Sequence, residues 1–239
     1  MKRAVFLVTL LTAAVAITVP AFAGTQDNAV LALEVRPHAT KSSLVCFKTG
    51  GSSSLDPVTG NRACNTFTTT GALNIARDMY LVVAKADNVA GIAGVSLGIQ
   101  YDGVASSGID VFGWSLCSDL DFPNGSWPNS GGGTRITWSA GTNCQRTVLG
   151  TMGAHAVAGA FYVYAYGSDT IKITENSGLA IPTLRVADCN ASESNINQAK
   201  GVGSAGFGAN AGCNPCLTDC GIIPVEPTTW GKIKNFGTN

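Results

Sequence analysis

The chain has 239 residues, no formal net charge at pH 7 and only 13% charged residues against 45% hydrophobic ones. With no basic stripe to meet a phosphate backbone, nucleic acid is excluded as the expected partner, while weak charge repulsion leaves self-association open. Eight cysteines and 29 glycines point to a secreted, cross-linked protein.

Lys2 and Arg3 precede an apolar run over 4–19, and Ala21-Phe22-Ala23 supplies the small residues of a cleavage site. This three-part layout predicts a secretory signal over 1–23. The run is short for a membrane span, and no transmembrane segment is expected after the cut. The expected address is secreted, extracellular or on the cell surface. One domain is expected over 24–222, with a tail over 223–239.

Residues 29–35 read as a first strand, ended by Pro37 and His38. Gly50-Gly51-Ser52-Ser53-Ser54 and Asp56-Pro57-Val58-Thr59-Gly60 make 48–63 a loop. A short strand is expected over 67–70. Tyr80-Leu81-Val82-Val83-Ala84 is a buried strand by its continuous apolar character. After a turn over 87–94, Val95, Leu97, Ile99 and Tyr101 alternate with Ser96, Gly98 and Gln100, the period of a half-buried strand. Another strand starts at Ile109. Residues 117–134 read as one long polar loop, followed by a short strand over 136–138. In 155–166, small and large residues alternate with aromatic and β-branched enrichment, which favours a strand. Further strands are expected over 170–174 and 183–187, and 192–200 is the one stretch with a helical reading. Roughly eight short strands with Gly, Pro and Asn punctuation predict an all-β, two-layer antiparallel β-sandwich with disulfide-linked loops.

The disulfide candidates are Cys46, Cys64, Cys117, Cys144, Cys189, Cys213, Cys216 and Cys220. Eight cysteines permit 105 pairings, so spacing alone does not fix connectivity. Nearness in sequence favours Cys46–Cys64 and Cys117–Cys144, with Cys189 tied into the cluster at 213–220.

Several motifs carry less chemistry than their patterns suggest. Gly94-Val95-Ser96-Leu97-Gly98 matches a hydrolase nucleophile elbow, but Ser96 sits inside an alternating strand with no helix after it. Gly201-Val202-Gly203-Ser204-Ala205-Gly206 matches a dinucleotide loop, but it follows a polar stretch and precedes a cysteine cluster, and reads as a flexible glycine loop. Cys213-Asn214-Pro215-Cys216 reads as disulfide-bonded in an oxidising compartment. His38 and His155 are isolated in sequence, and no metal is expected on them. Turn acids (Asp87, Asp102, Asp110, Asp119, Asp121) more often cap turns than bind ions, so no cofactor is expected, with calcium the one cation their ligand type suits. Trp114, Trp127 and Trp138 with Tyr162, Tyr164 and Tyr166 are the aromatic resource: exposed on one face they stack on sugars, buried they fill the core. Trp127, between Ser126 and Pro128, is expected to be exposed. Asn124-Gly125-Ser126 and Asn190-Ala191-Ser192 fit the glycan-acceptor pattern.

The stretch from Tyr80-Leu81-Val82-Val83-Ala84 through Gly91-Ile92-Ala93-Gly94 to Tyr101-Asp102 resembles a cohesin strand pair, within a weakly cohesin-like segment over 80–112. That likeness implies a cohesin-like or immunoglobulin-like jelly-roll sandwich. The whole chain resembles uncharacterised secreted bacterial proteins that share Gly113-Trp114-Ser115-Leu116-Cys117, Val186-Ala187-Asp188-Cys189, Cys213-Asn214-Pro215-Cys216 and Thr229-Trp230-Gly231-Lys232-Ile233-Lys234, which implies address and fold.

The functional expectation is an extracellular, non-catalytic binding or assembly protein whose partners are other proteins or glycans. The ligand-binding candidates are Trp127, Trp114, Asp119 and Asp121. A carbohydrate-binding module using exposed tryptophans is the alternative. A hydrolase using Asp119 and Asp121 is the third reading, and no residue is assigned a catalytic role.

Overall fold

The computed structural model describes residues 24–38, 45–46, 63–198 and 201–221. The expectations over 1–23, most of 48–63 and 223–239 lie outside the described residues. Twelve strands run through the rest: β1 (Val30–Pro37), β2 (Thr70–Gly71), β3 (Ala76–Ala86), β4 (Gly94–Gln100), β5 (Ile109–Leu116), β6 (Leu120–Asn124), β7 (Gly133–Thr137), β8 (Ala154–Ala165), β9 (Asp169–Thr174), β10 (Arg185–Ala187), β11 (Glu193–Asn195) and β12 (Ser204–Phe207). No α-helix occurs among the described residues.

The strands form two layers. Sheet one has the order β1-β3-β8-β5 and is antiparallel throughout. Sheet two has the order β11-β10-β4-β9-β12-β2, with β7 also pairing β4 and β6 pairing β7. Its pairs are antiparallel except β2 with β12. The architecture is the expected all-β sandwich.

The alternation read in β4 is the alternation of its faces. Val95, Leu97 and Ile99 enter the core while Gln100 meets solvent. From sheet one, Leu31, Leu33, Val35, Met79, Leu81, Val83, Phe161 and Val163 meet them from the other side. β3 is apolar without a break from Met79 to Ala84 because its other face is covered too. Val30, Ala32, Tyr80, Val82, Ala84 and Val157 form a second, smaller core on the outside of sheet one, closed by Phe67, Cys64 and Cys216.

Four disulfides pair all eight cysteines: Cys46–Cys117, Cys64–Cys216, Cys144–Cys189 and Cys213–Cys220. These overturn the pairings favoured by sequence proximity. Antiparallel sheets place neighbours by register, so the closest thiol in space lies up to 152 positions away. Cys64–Cys216 pins two separate segments over the outer core, and closing a loop of that size stabilises by on the order of 5 kcal/mol in the chain-entropy account.

Three local expectations change. The loop expected over 117–134 contains β6, because Leu120–Asn124 finds a partner edge in β7. Residues 193–195 are β11 rather than helix, since β10 offers them a ladder. The glycine loop at 201–206 enters β12. Gly203 N–H donates to the Leu31 carbonyl (2.7 Å), and a Cβ at Gly203 would press on that carbonyl, at 3.0 Å. Glycine there permits close backbone approach.

Candidate functional site

The outer face of sheet one changes character along its strands. Register aligns Ala32 with Val82 in the apolar end, then Glu34 with Tyr80, then Arg36 with Asp78 and Asp78 with Tyr162. In the middle zone, Arg36 Nε lies 3.1 Å from Glu34 Oε1, and its guanidinium sits 5.7 Å from the centre of the Tyr80 ring. Both charges are buried there. At the far end, His38 Nδ1 lies 2.8 Å from Asp78 Oδ1, and its ring packs on Tyr162 at 4.6 Å. The histidine that looks isolated in sequence therefore has a carboxylate partner, visible only once β1 and β3 are in register.

Tyr162, Tyr164 and Tyr166 lie on this face because Phe161, Val163 and Ala165 take the inward positions of β8. Phe112 joins them from β5. A register shift between Val111 and Gly113 leaves Phe112 as the extra residue of a bulge, and its ring lies 5.9 Å from that of Tyr162. Phe112 is 57% exposed, Tyr162 38% and Tyr166 39%. An aromatic strip thus lies open beside the edge of the sheet. β5 is that edge: among the described residues no backbone hydrogen bond reaches it from any strand but β8.

Next to Phe112 is a cleft of about 300 Å³ lined by Tyr101, Asp110, Val111, Asn129 and Ser130. Asp110 lines it, and that carboxylate and two neighbouring ones cap backbone amides. Asp102 Oδ2 accepts from Gly108 N–H (2.8 Å), Asp110 from Ser106 N–H (3.0 Å) and Asp169 Oδ1 from Thr170 N–H (2.7 Å). Burial, reinforced by the nearby Asp110, Asp102 and Asp169 carboxylates, holds the Tyr101 hydroxyl above its ordinary pKa. Among the described residues no group of three or more His, Cys, Asp or Glu side chains is arranged to hold a metal.

The structure brings three of the four sequence-predicted ligand residues together. Trp114 Nε1 donates to Asp121 Oδ2 (2.9 Å), Thr134 Oγ1 donates to Asp121 Oδ1, and the Trp114 and Trp127 rings meet edge to face at 5.2 Å. Both rings pack on Phe161, at 4.5 and 5.4 Å. This cluster closes the gap between β5 and β6, where the chain passes from one sheet to the other. Trp127 is accordingly half-buried rather than exposed. Its loop is fastened to β4 by Gly131 N–H to Ile99 O (2.9 Å) and by Ser130 Oγ to Tyr101 O (2.6 Å). Asp119 stands apart and caps the turn after β7, accepting from Ser139 N–H (2.6 Å) and Asn143 Nδ2 (2.8 Å). Sequence reading missed Phe112 and His38. Only the bulge and the strand register reveal them.

His155 lies at the apolar end, buried, with its ring 6.1 Å from that of Phe67. Burial, with a contribution from the Arg36 charge, pushes its pKa down to about 4.

No family model matches the chain, and no curated protein matches it. Among solved structures it is similar to cohesin modules. One is from a Clostridium perfringens family 33 glycoside hydrolase, at 8% identity and TM-score 0.38, covering 59% of this chain and 89% of that one. Another is the sixth cohesin of Acetivibrio cellulolyticus scaffoldin B, solved in complex with a mutant Cel5 dockerin, at 11% identity and TM-score 0.39, covering 60% and 94%. A third is a type II cohesin domain from the Acetivibrio cellulolyticus cellulosome, at 14% identity and TM-score 0.35, covering 62% and 90%.

Proposed function

We propose that this chain is a non-catalytic binding or assembly module of the extracellular space that engages a protein partner through the outer face of sheet one at its β5 edge. The observation that carries the reading is the open Phe112–Tyr162 aromatic strip, set beside an unpaired strand edge and a cleft. Exposed aromatic side chains on a rigid sheet supply much of the energy of protein interfaces, and a free edge offers a partner a backbone ladder. Four disulfides, with no cysteine left unpaired, suit an oxidising compartment.

The carbohydrate reading moves with the aromatics. Trp114 and Trp127 pack on each other and on Phe161, so the tyrosines and Phe112 are the surface a sugar would meet.

The test is a binding survey of the purified protein against a glycan array and a displayed peptide library, with Phe112→Ala and Tyr162→Ala in parallel. A peptide ligand lost in both variants supports the proposal. Glycan binding lost in the same variants replaces it with the sugar module. Turnover on a hydrolase substrate panel that disappears in Asp119→Ala overturns the non-catalytic reading.

A further inference from the structure

The Gly94-Val95-Ser96-Leu97-Gly98 motif makes the floor of a second cleft, on the opposite side of the sandwich. Val95 and Leu97 point into the core, so Gly94, Ser96 and Gly98 lie on the outer face of sheet two. Register then builds the walls. Arg185 of β10 stands opposite Ser96 on one side, and Arg135 of β7 stands opposite it on the other. Their backbones are two strand spacings apart, about 9.5 Å. The cleft between them encloses about 190 Å³.

Its polar groups form a donor set. Arg185 is held from behind, with Nη1 on Glu193 Oε2 (2.9 Å) and Nε on Asn195 Oδ1 (3.0 Å). The Arg135 side chain is exposed and makes no hydrogen bond or ion pair among the described residues. Two arginines against one glutamate leave the cleft positive. Ser96 Oγ lies 3.0 Å from Thr183 Oγ1 and accepts from the Nδ2 of Asn176 at 3.4 Å. One of the two hydroxyl protons is used between Ser96 and Thr183, and the other is left for a ligand. Asn176 is fully buried over the Gly98–Gly133 end, and its Oδ1 has no hydrogen-bond partner. The trench is therefore stopped at one end and open at the other. On the open flank, Phe122 of β6 stands next to Arg135 in register and, with Leu120, is exposed.

We propose that the Arg135–Ser96–Arg185 cleft binds a carboxylate side chain from an acidic peptide segment of a partner protein, with an apolar neighbour of that carboxylate resting on Phe122. The guanidinium fork matches a carboxylate in plane and charge. A cation would meet the wrong sign. The site is separate from the aromatic strip, so a module carrying both joins two partners through its two faces.

The test is fluorescence anisotropy with labelled poly-L-glutamate, titrated with the full-length secreted protein at low and at physiological salt. Binding should weaken with salt. Arg135→Ala should weaken it by about tenfold, the loss of one charge-assisted contact. Gly94→Leu should do the same by filling the trench. A Cβ at Gly94 meets nothing closer than the Ile136 carbonyl at 3.4 Å, so the sheet accepts it, and an unchanged melting temperature confirms that. Phe112→Ala should leave poly-glutamate binding intact, which separates this site from the one proposed above. Absence of poly-glutamate binding by the unaltered protein, binding undiminished in both cleft variants, or a preference for polygalacturonate over poly-glutamate each overturns the proposal. The last would reassign the cleft to an acidic glycan.

Discussion

On the outside of sheet one, Val30, Ala32, Tyr80, Val82 and Val157 are roofed by Phe67 and the Cys64–Cys216 crosslink, and among the described residues Phe112 and Tyr162 at the β5 end stay open. On the outside of sheet two, Arg135 and Gln100 meet solvent directly, and the loop that bears Asn176 covers one short stretch. One sandwich thus treats its two outer faces by different rules. The roofed face depends on long-range covalent closure to keep apolar residues dry. The bare face depends mainly on strand alternation. The difference teaches where stability and recognition are separable: on the bare face, outward residues are free to serve a ligand, whereas on the roofed face most are committed to packing.

The largest expected break in this contrast comes from the roof. Replacing Cys64 and Cys216 together with serine should lower unfolding stability by about 5 kcal/mol, since it reopens the longest loop and loosens the outer core. The same double change at Cys213 and Cys220, which closes a separation of only 7, should cost about 2 kcal/mol. Guanidinium denaturation of the two variants, each against the parent, measures both. Equal losses would mean that the roof contributes nothing beyond local stapling.

Within β4 the comparison sharpens to adjacent residues. Leu97 is fully buried between the sheets, so Leu97→Ala should cost about 3 kcal/mol through lost transfer energy and a cavity. Its neighbour Ser96 faces outward with one hydroxyl partner, and Ser96→Ala should cost about 1 kcal/mol. The midpoint shift in the same denaturation experiment separates inward from outward positions.

That inward–outward contrast is also what the sequence displays best. Alternation in 95–101 and 155–166 announces β4 and β8 and puts Tyr162, Tyr164 and Tyr166 on one face, because period two is a local property of strands. β11 and β12 are too short to announce themselves, and they exist because β10, β9 and β2 present ladders to them. Disulfide pairing and the His38–Asp78 contact depend on register between distant strands, which no local spacing encodes. Phe112 is legible as an aromatic residue, but its exposure follows from a one-residue bulge. The Arg135–Ser96–Arg185 row is equally hidden, being assembled from three strands of sheet two.

The roofed face also carries a titration. His155 is buried and neutral, with a folded pKa of about 4 against 6.5 when unfolded. The unfolded chain therefore binds more protons between those values, so stability rises with pH across that window. The contribution is fully present above about pH 6.5 and is lost as pH falls toward 4, amounting to about 3 kcal/mol at most. Thermal unfolding at closely spaced pH values should show this slope, and His155→Gln should flatten it. A slope that survives the substitution would assign it to carboxylates instead.

The smallest effect belongs to the bare face. Arg185 and Glu193 are paired at 2.9 Å, but their side chains are 40% and 57% exposed. Solvent screening and side-chain entropy offset most of that attraction, so Glu193→Gln should change stability by less than about 0.5 kcal/mol. The same change should strengthen poly-glutamate binding, because it removes the one negative charge beside Arg135 and Arg185. A double-mutant cycle on Arg185 and Glu193, read in denaturation and in anisotropy, gives opposite weights to one pair: almost none for folding, and a measurable one for recognition. A large coupling in folding would place this pair with the committed residues of the roofed face and erase the distinction between the two sides.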